Sequence, residues 1–242
     1  MKVLAFLLTG ILCLIPMAVA KANSSICLKD GERIVFFGDS LTKRGELPRG
    51  YITLIEEVLQ RHHGPKKIAT IGAGVEGNRT IDLQRRVYKD VVKKRPTLVV
   101  IFIGINDVWW GEQYPYMMTP LDEFKMRIEN LAAAVAHCGA KVVLCTPPVI
   151  GEKKRGTNQL DEELDEVSST IKKVAEQNDY VVCDLRQGFA DYLATHNPED
   201  RCKGILTVDR VHLTDAGNEL VAKLMLETLG EGHDAEDKTK PL

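Results

Sequence analysis

The stretch Val35-Phe36-Phe37-Gly38-Asp39-Ser40-Leu41-Thr42 runs from apolar residues straight into Gly-Asp-Ser. Its first half reads as a short strand apolar on both faces, as expected of a parallel strand covered by helices on each side. Its second half reads as a turn, since Gly, Asp and Ser all suit turns. A lone Gly-Asp-Ser is usually no more than that. The same order also suits a serine nucleophile held at the edge of a sheet, and the decision rests on residues far downstream.

On either side of this stretch, strand-like and helix-like segments alternate from residue 33 to about residue 228. Residues 33–37, 67–71, 98–103, 141–145 and 180–183 are short, and most are rich in Val and Ile. Stretches of helical period separate them, at about 50–62, 80–94, 120–137 and 159–178, and a last helix spans about 214–229. Thr119-Pro120 fits an N-cap followed by a proline at the first helical position. This rhythm predicts a three-layer, doubly wound α/β domain with five parallel strands and right-handed crossovers. Ligands of such sheets bind beyond the carboxyl ends of the strands, and the chemically informative residues fall there. Gly38-Asp39-Ser40 follows the first strand, 72–78 (GAGVEGN) the second, and Gly104-Ile105-Asn106-Asp107 the third. Asp209-Arg210-Val211-His212 precedes the last helix.

A serine hydroxyl needs a base to become a nucleophile near neutral pH. The usual base is a histidine oriented by a carboxylate through its other nitrogen. Asp209 and His212 lie three residues apart on one loop, and His212 alone among six histidines has an acid at that spacing just before the last helix. The candidate triad is therefore Ser40, Asp209 and His212. Acyl transfer also needs donors for a developing oxyanion. The backbone N–H groups of Ser40 and Gly77 and the side-chain amide of Asn106 come from three different strand ends. Asp39 and Asp107 read as braces of their loops.

Taken together, the blocks 37–42 (FGDSLT), 74–80 (GVEGNRT), 104–107 (GIND) and 209–212 (DRVH) resemble the SGNH (GDSL-type) hydrolase superfamily. The resemblance covers roughly residues 33–228. It implies a flavodoxin-like sheet, Ser40 as nucleophile, His212 as base, Asp209 as orienting acid, and Ser40, Gly77 and Asn106 around the oxyanion. It implies no metal and no cofactor. Gly72 stands where the family often has Asn, and Ile105 where it often has Gly; neither position carries an assigned chemical role.

Other readings are weaker. Gly72-x-Gly74-x-x-Gly77 matches the dinucleotide fingerprint by spacing, but it follows the second strand and lacks the acid at the next strand's tip. The 109–118 segment holds both tryptophans; it either lines a sugar or acyl pocket or packs its loop onto the sheet. The charged stretch 161–173 reads as a solvated face, and Arg44, Arg49 and Arg79 stand near strand ends where an anionic substrate group would lie.

Composition bounds the rest. A chain of 242 residues, 44% apolar and 27% charged, suits one α/β domain or two small ones, and the strand–helix rhythm marks no second domain. Its net charge of −2 makes no case for nucleic acid or an anionic membrane. Lys2, an apolar run over about 3–14 and Ala18-Val19-Ala20 have the form of a secretory signal peptide. The expected organisation is a signal peptide over 1–20, a hydrolase domain over 21–230 and a disordered tail over 231–242, with the mature protein extracellular or periplasmic. Five cysteines then remain of six. Export permits one bridge among Cys27, Cys138 and Cys202, without choosing the pair. Asn23 and Asn78 head glycosylation sequons, the second beside the oxyanion candidates. The function expected is a secreted serine esterase for short-chain or carbohydrate O-acetyl esters. A lysophospholipase-like hydrolase and a non-catalytic extracellular carbohydrate-binding protein are the alternatives.

Overall fold

A computed structural model describes residues 26–64 and 67–232. The signal-peptide segment, Asn23 and most of the expected tail lie outside these. The sheet has five parallel strands: β1 (Arg33–Gly38), β2 (Ala69–Gly74), β3 (Leu98–Phe102), β4 (Lys141–Cys145) and β5 (Val181–Cys183). Their order is β2-β1-β3-β4-β5, the flavodoxin-like arrangement. Ile34, Val35, Phe36 and Phe37 of β1 are wholly buried, and so are all five residues of β3. Burying each such side chain contributes about 1.5–3 kcal/mol, which is why these runs are apolar on both faces.

Helices α1 (Ser40–Gly45), α2 (Tyr51–His63), α3 (Thr80–Asp90), α4 (Ile105–Gln113), α5 (Leu121–His137), α6 (Asp161–Asn178), α7 (Leu185–His196) and α8 (Asp215–Thr228) complete the domain. α3 packs on α5 and α5 on α6; α2 packs on α8 and α8 on α7. The two groups form the outer layers.

All five strands run the same way, so their carboxyl ends share one edge. In register, Gly38 of β1 stands level with Gly74 of β2 and Phe102 of β3. β1 lies between β2 and β3, where the winding reverses, and a crevice opens at that point.

Several sequence expectations need correction. β2 extends through Gly74, three residues further than expected. A Cβ at residue 72 would overlap the Glu46 side chain, and one at 74 the Lys43 backbone. Gly72 and Gly74 thus serve close packing of α1 and the turn after it on β2. α5 starts at Leu121, with Pro120 outside it. Thr119 instead donates its N–H to the Asp107 carbonyl and its hydroxyl to the Asp107 carboxylate (both 2.8 Å). The 161–173 stretch is only half a solvated face. Asp161, Leu164, Val167 and Ile171 are buried, and Asp161 pairs with the equally buried Arg186 at 2.7 Å. All five described cysteines are free thiols. Glu231, placed in the disordered tail, accepts hydrogen bonds from His62 (2.9 Å) and His63 (2.8 Å).

Candidate active site

Asp39 ends the β1 turn and caps α1, its Oδ1 accepting the Leu41 N–H at 2.9 Å. α1 therefore begins at Ser40 itself, and a first-turn N–H has no partner one turn earlier in its own helix. Asp39 is 1% exposed, and burial pushes its carboxyl up to about 7 against the pull of the Leu41 N–H.

Asp209 and His212 meet Ser40 through a tight turn. The Asp209 Oδ1 accepts the backbone N–H groups of Val211 (3.1 Å) and His212 (2.8 Å). Its Oδ2 accepts His212 Nδ1–H at 2.6 Å. With that proton on Nδ1, Nε2 is an acceptor, and the Ser40 hydroxyl donates to it at 3.0 Å. Burial raises the Asp209 carboxyl, but the His212 ring and the two backbone donors outweigh it and hold it below the ordinary carboxylate range. Three residues 172 positions apart at the extremes thus form one hydrogen-bonded line.

The turn carries one left-handed non-glycine residue, Arg210, at φ +87°. Such a conformation costs about 1–2 kcal/mol, and its surroundings hold it. The Arg210 guanidinium makes a two-pronged pair with Glu112 (2.7 and 2.6 Å), and its carbonyl accepts Gly151 N–H at 2.9 Å. Glu112 also accepts the Trp109 indole N–H at 3.2 Å, and Trp109 sets its edge against the His212 ring, centroids 6.0 Å apart. Below the turn, fully buried Glu152 accepts the N–H groups of Ile205 (2.9 Å), Leu206 (2.8 Å) and Thr207, and the Thr207 hydroxyl at 2.7 Å. Glu112, Glu152 and Arg210 are absent from the candidates read in the sequence. Their partners lie tens of residues away, and no local pattern joins them.

Gly77 adopts φ +71°, a left-handed conformation open to glycine at little cost. Asn106, 3% exposed, stands at the start of α4 and donates one amide hydrogen to the Asn78 carbonyl at 3.0 Å. A primary amide has a second hydrogen to offer. Asp107 braces this corner as expected: Oδ1 accepts the Thr80 hydroxyl at 2.6 Å, and Oδ2 the Thr80 N–H at 3.0 Å.

Ser40, Gly77, Asn106 and His212 all line one cavity of about 390 Å³. Trp109, Trp110 and Tyr114 supply its apolar wall, and Glu76, Glu112, Gln113 and Arg210 its polar one. The 109–118 segment is helix α4 and the 3₁₀ turn Pro115–Met117 rather than a loop, and its first part, through Tyr114, lines the pocket. None of the three arginines near the strand ends lines the pocket, and each has a partner. Arg44 pairs with Glu76, Arg49 with Asp215 and Glu219, and Arg79 donates to the Met117 carbonyl. Among the described residues, no group of three or more His, Cys, Asp or Glu is placed to hold a metal ion.

Fold and site together define an ester hydrolase built on a flavodoxin-like sheet. The chain belongs to the GDSL-like lipase/acylhydrolase family, whose model matches residues 36–220. It is 28% identical over 214 residues to an acetylxylan esterase of Geobacillus stearothermophilus, covering 83% of this chain and 94% of that one. The crystal structure of that organism's acetylxylan esterase Axe2 superposes with a TM-score of 0.75 at 27% identity, covering 86% and 97%. Axe2 structures with a serine or a histidine replaced by alanine are described as catalytic mutants. Another acetyl xylan esterase, AlAXEase, is 40% identical with a TM-score of 0.79, covering 81% of this chain and 99% of that one. A rat isoamyl acetate-hydrolyzing esterase 1 homolog (Rattus norvegicus) is 26% identical over 212 residues, 78% of each chain. This protein is accordingly a carboxylic ester hydrolase.

Proposed function

We propose that this esterase works through an acyl-enzyme on Ser40 and that its substrates are O-acetyl groups on carbohydrates. The observation that carries the proposal is the hydrogen-bonded line Asp209–His212–Ser40 opening into the same cavity as Gly77 and Asn106. Ser40 Oγ attacks the ester carbonyl while His212 Nε2 takes its proton. The Asp209 carboxylate holds the ring and stabilises the imidazolium that forms. The oxyanion is met by the N–H groups of Ser40 and Gly77 and by Asn106 Nδ2–H; each such donor is worth about 10²–10³ in rate. His212 then protonates the leaving alcohol, and water deacylates Ser40 with the same base.

The pocket walls support a sugar ester. Tryptophan faces suit the apolar faces of a pyranose, while Glu76, Glu112, Gln113 and Arg210 offer hydrogen-bond partners to hydroxyl groups. Acetyl ester substrates named for the relatives point the same way. The basic n-region, apolar run and Ala18-Val19-Ala20 support export, which would bring the enzyme to extracellular polysaccharide.

The test is a substrate profile: acetate release from acetylated xylo-oligosaccharide, set beside p-nitrophenyl esters from acetyl to dodecanoyl and a lysophospholipid. The acetylated oligosaccharide and the acetyl ester are expected to give the highest kcat/KM. A rate that climbs with chain length, or preference for the lysophospholipid, would replace this reading with the lipase-like one.

A further inference from the structure

Arg86 lies on α3, outside the pocket, with its side chain only 14% exposed. Its guanidinium joins the end of β1 to the stretch 73–78, adding to the β1–β2 pairing and to the Val75 N–H that the Gly38 carbonyl accepts at 3.2 Å. Nη2 donates to the Gly38 carbonyl at 2.6 Å, at the end of β1 and two residues before Ser40. Nη1 donates to the Ala73 carbonyl at 2.9 Å, at the end of β2. Nε donates to the Asn78 side-chain oxygen at 2.7 Å. Asn78 closes the turn that holds Gly77, its N–H reaching the Val75 carbonyl at 3.3 Å, and its own carbonyl is the one that receives Asn106 Nδ2–H. Asp90 balances the charge at 3.1 Å, and Phe37 lies under the guanidinium, 4.5 Å from its carbon to the ring centroid.

We propose that Arg86 is a positioning residue for hydrolysis at Ser40: its planar fork sets the distance between the nucleophile-bearing end of β1 and the turn that presents Gly77 and orients Asn106. The inference rests on the acyl-enzyme reading above. A guanidinium does this because its donors leave one rigid plane in fixed directions; an ammonium has three donors, but they rotate about a single nitrogen on a flexible stem and fix no such plane. Displacing catalytic groups by about 1 Å costs about 10² in rate, so the effect belongs in kcat.

The experiment compares wild type, Arg86→Lys and Asn78→Ala on p-nitrophenyl acetate, with melting temperatures and Ser40→Ala as the control. Arg86→Lys is expected to lose about 10–100-fold in kcat with KM within about twofold, and Asn78→Ala about tenfold, also in kcat. In an Asn106→Ala background, where one positioned donor is already gone and Gly77 alone remains to be placed, Arg86→Lys should cost less than it does in the wild type. Wild-type kcat in folded Arg86→Lys, a loss confined to KM, or the full loss persisting beside Asn106→Ala would each overturn the assignment. Should Arg86→Lys fail to fold, Asn78→Ala decides alone: reduced kcat at unchanged KM supports the proposal, and wild-type kcat overturns it. An inactive Ser40→Ala beside unimpaired Arg86 and Asn78 variants sinks only this inference. A fully active Ser40→Ala removes the acyl-enzyme reading beneath it.

Discussion

Two aspartates stand near Ser40, one beside it in the chain and one beyond His212, and their surroundings give them opposite characters. Asp209 is partly open to solvent and accepts three hydrogen bonds, so its negative charge is supported. Asp39, the chain neighbour of Ser40, is sealed from water, and burial drives its carboxyl up to about 7. A carboxyl whose folded value lies above its unfolded one binds an extra proton in the native state between the two values. Stability from this group therefore falls as pH rises from about 4 to about 7 and is level outside that window. Asp39→Asn keeps an oxygen for the Leu41 N–H and removes the titration. Its urea midpoint should gain on wild type steadily from pH 4 to pH 7, and a constant difference across that range would refute the assignment. At this scale the sequence is legible where chemistry is local. The spacing of Asp209 and His212 announces a turn that joins them. It is illegible where a contact spans the fold: Glu112 and Arg210 are 98 positions apart, and Arg86 reaches Gly38 across 48. Nothing in the residues around them marks those partners.

At the scale of elements, the strands were readable because burial on both faces leaves unbroken apolar runs, as in β3. The long amphipathic helices were readable for the same kind of reason. α1, α4 and α7 were not. α1 is six residues long and exists because Asp39 caps it and β2 receives it. α4 is only nine residues long, and its apolar positions are shared between the core (Ile105, Val108) and the pocket (Trp109, Trp110), with Gly111 beside them. α7 opens with a legible cap, Asp184 accepting Gln187 N–H at 3.2 Å, but Gly188 interrupts the pattern. The contact of α1 with β2 can be tested at Gly74, where a Cβ would press on the Lys43 backbone. Gly74→Ala should lose about 1–3 kcal/mol of unfolding free energy, measured by urea denaturation, and should lose activity with it because α1 carries Ser40. An unchanged midpoint would mean that α1 shifts freely and does not anchor the site.

At the scale of the molecule, the parallel sheet does one thing for function: it delivers chain segments far apart in sequence to a single edge. β1 brings Ser40, the turn after β2 brings Gly77, and α4 after β3 brings Asn106. The segment before α8 then lays Asp209 and His212 across them, held from beneath by Glu152. Family membership over residues 36–220 covers this whole delivery system. The proposed mechanism requires that Ser40 become acylated. Wild-type protein mixed with p-nitrophenyl acetate, quenched in acid during turnover and digested, should carry one acetyl group on the peptide containing Ser40. Ser40→Ala should carry none and release p-nitrophenol at the uncatalysed rate. Acetyl found only at another residue, or turnover undiminished in Ser40→Ala, would overturn that mechanism.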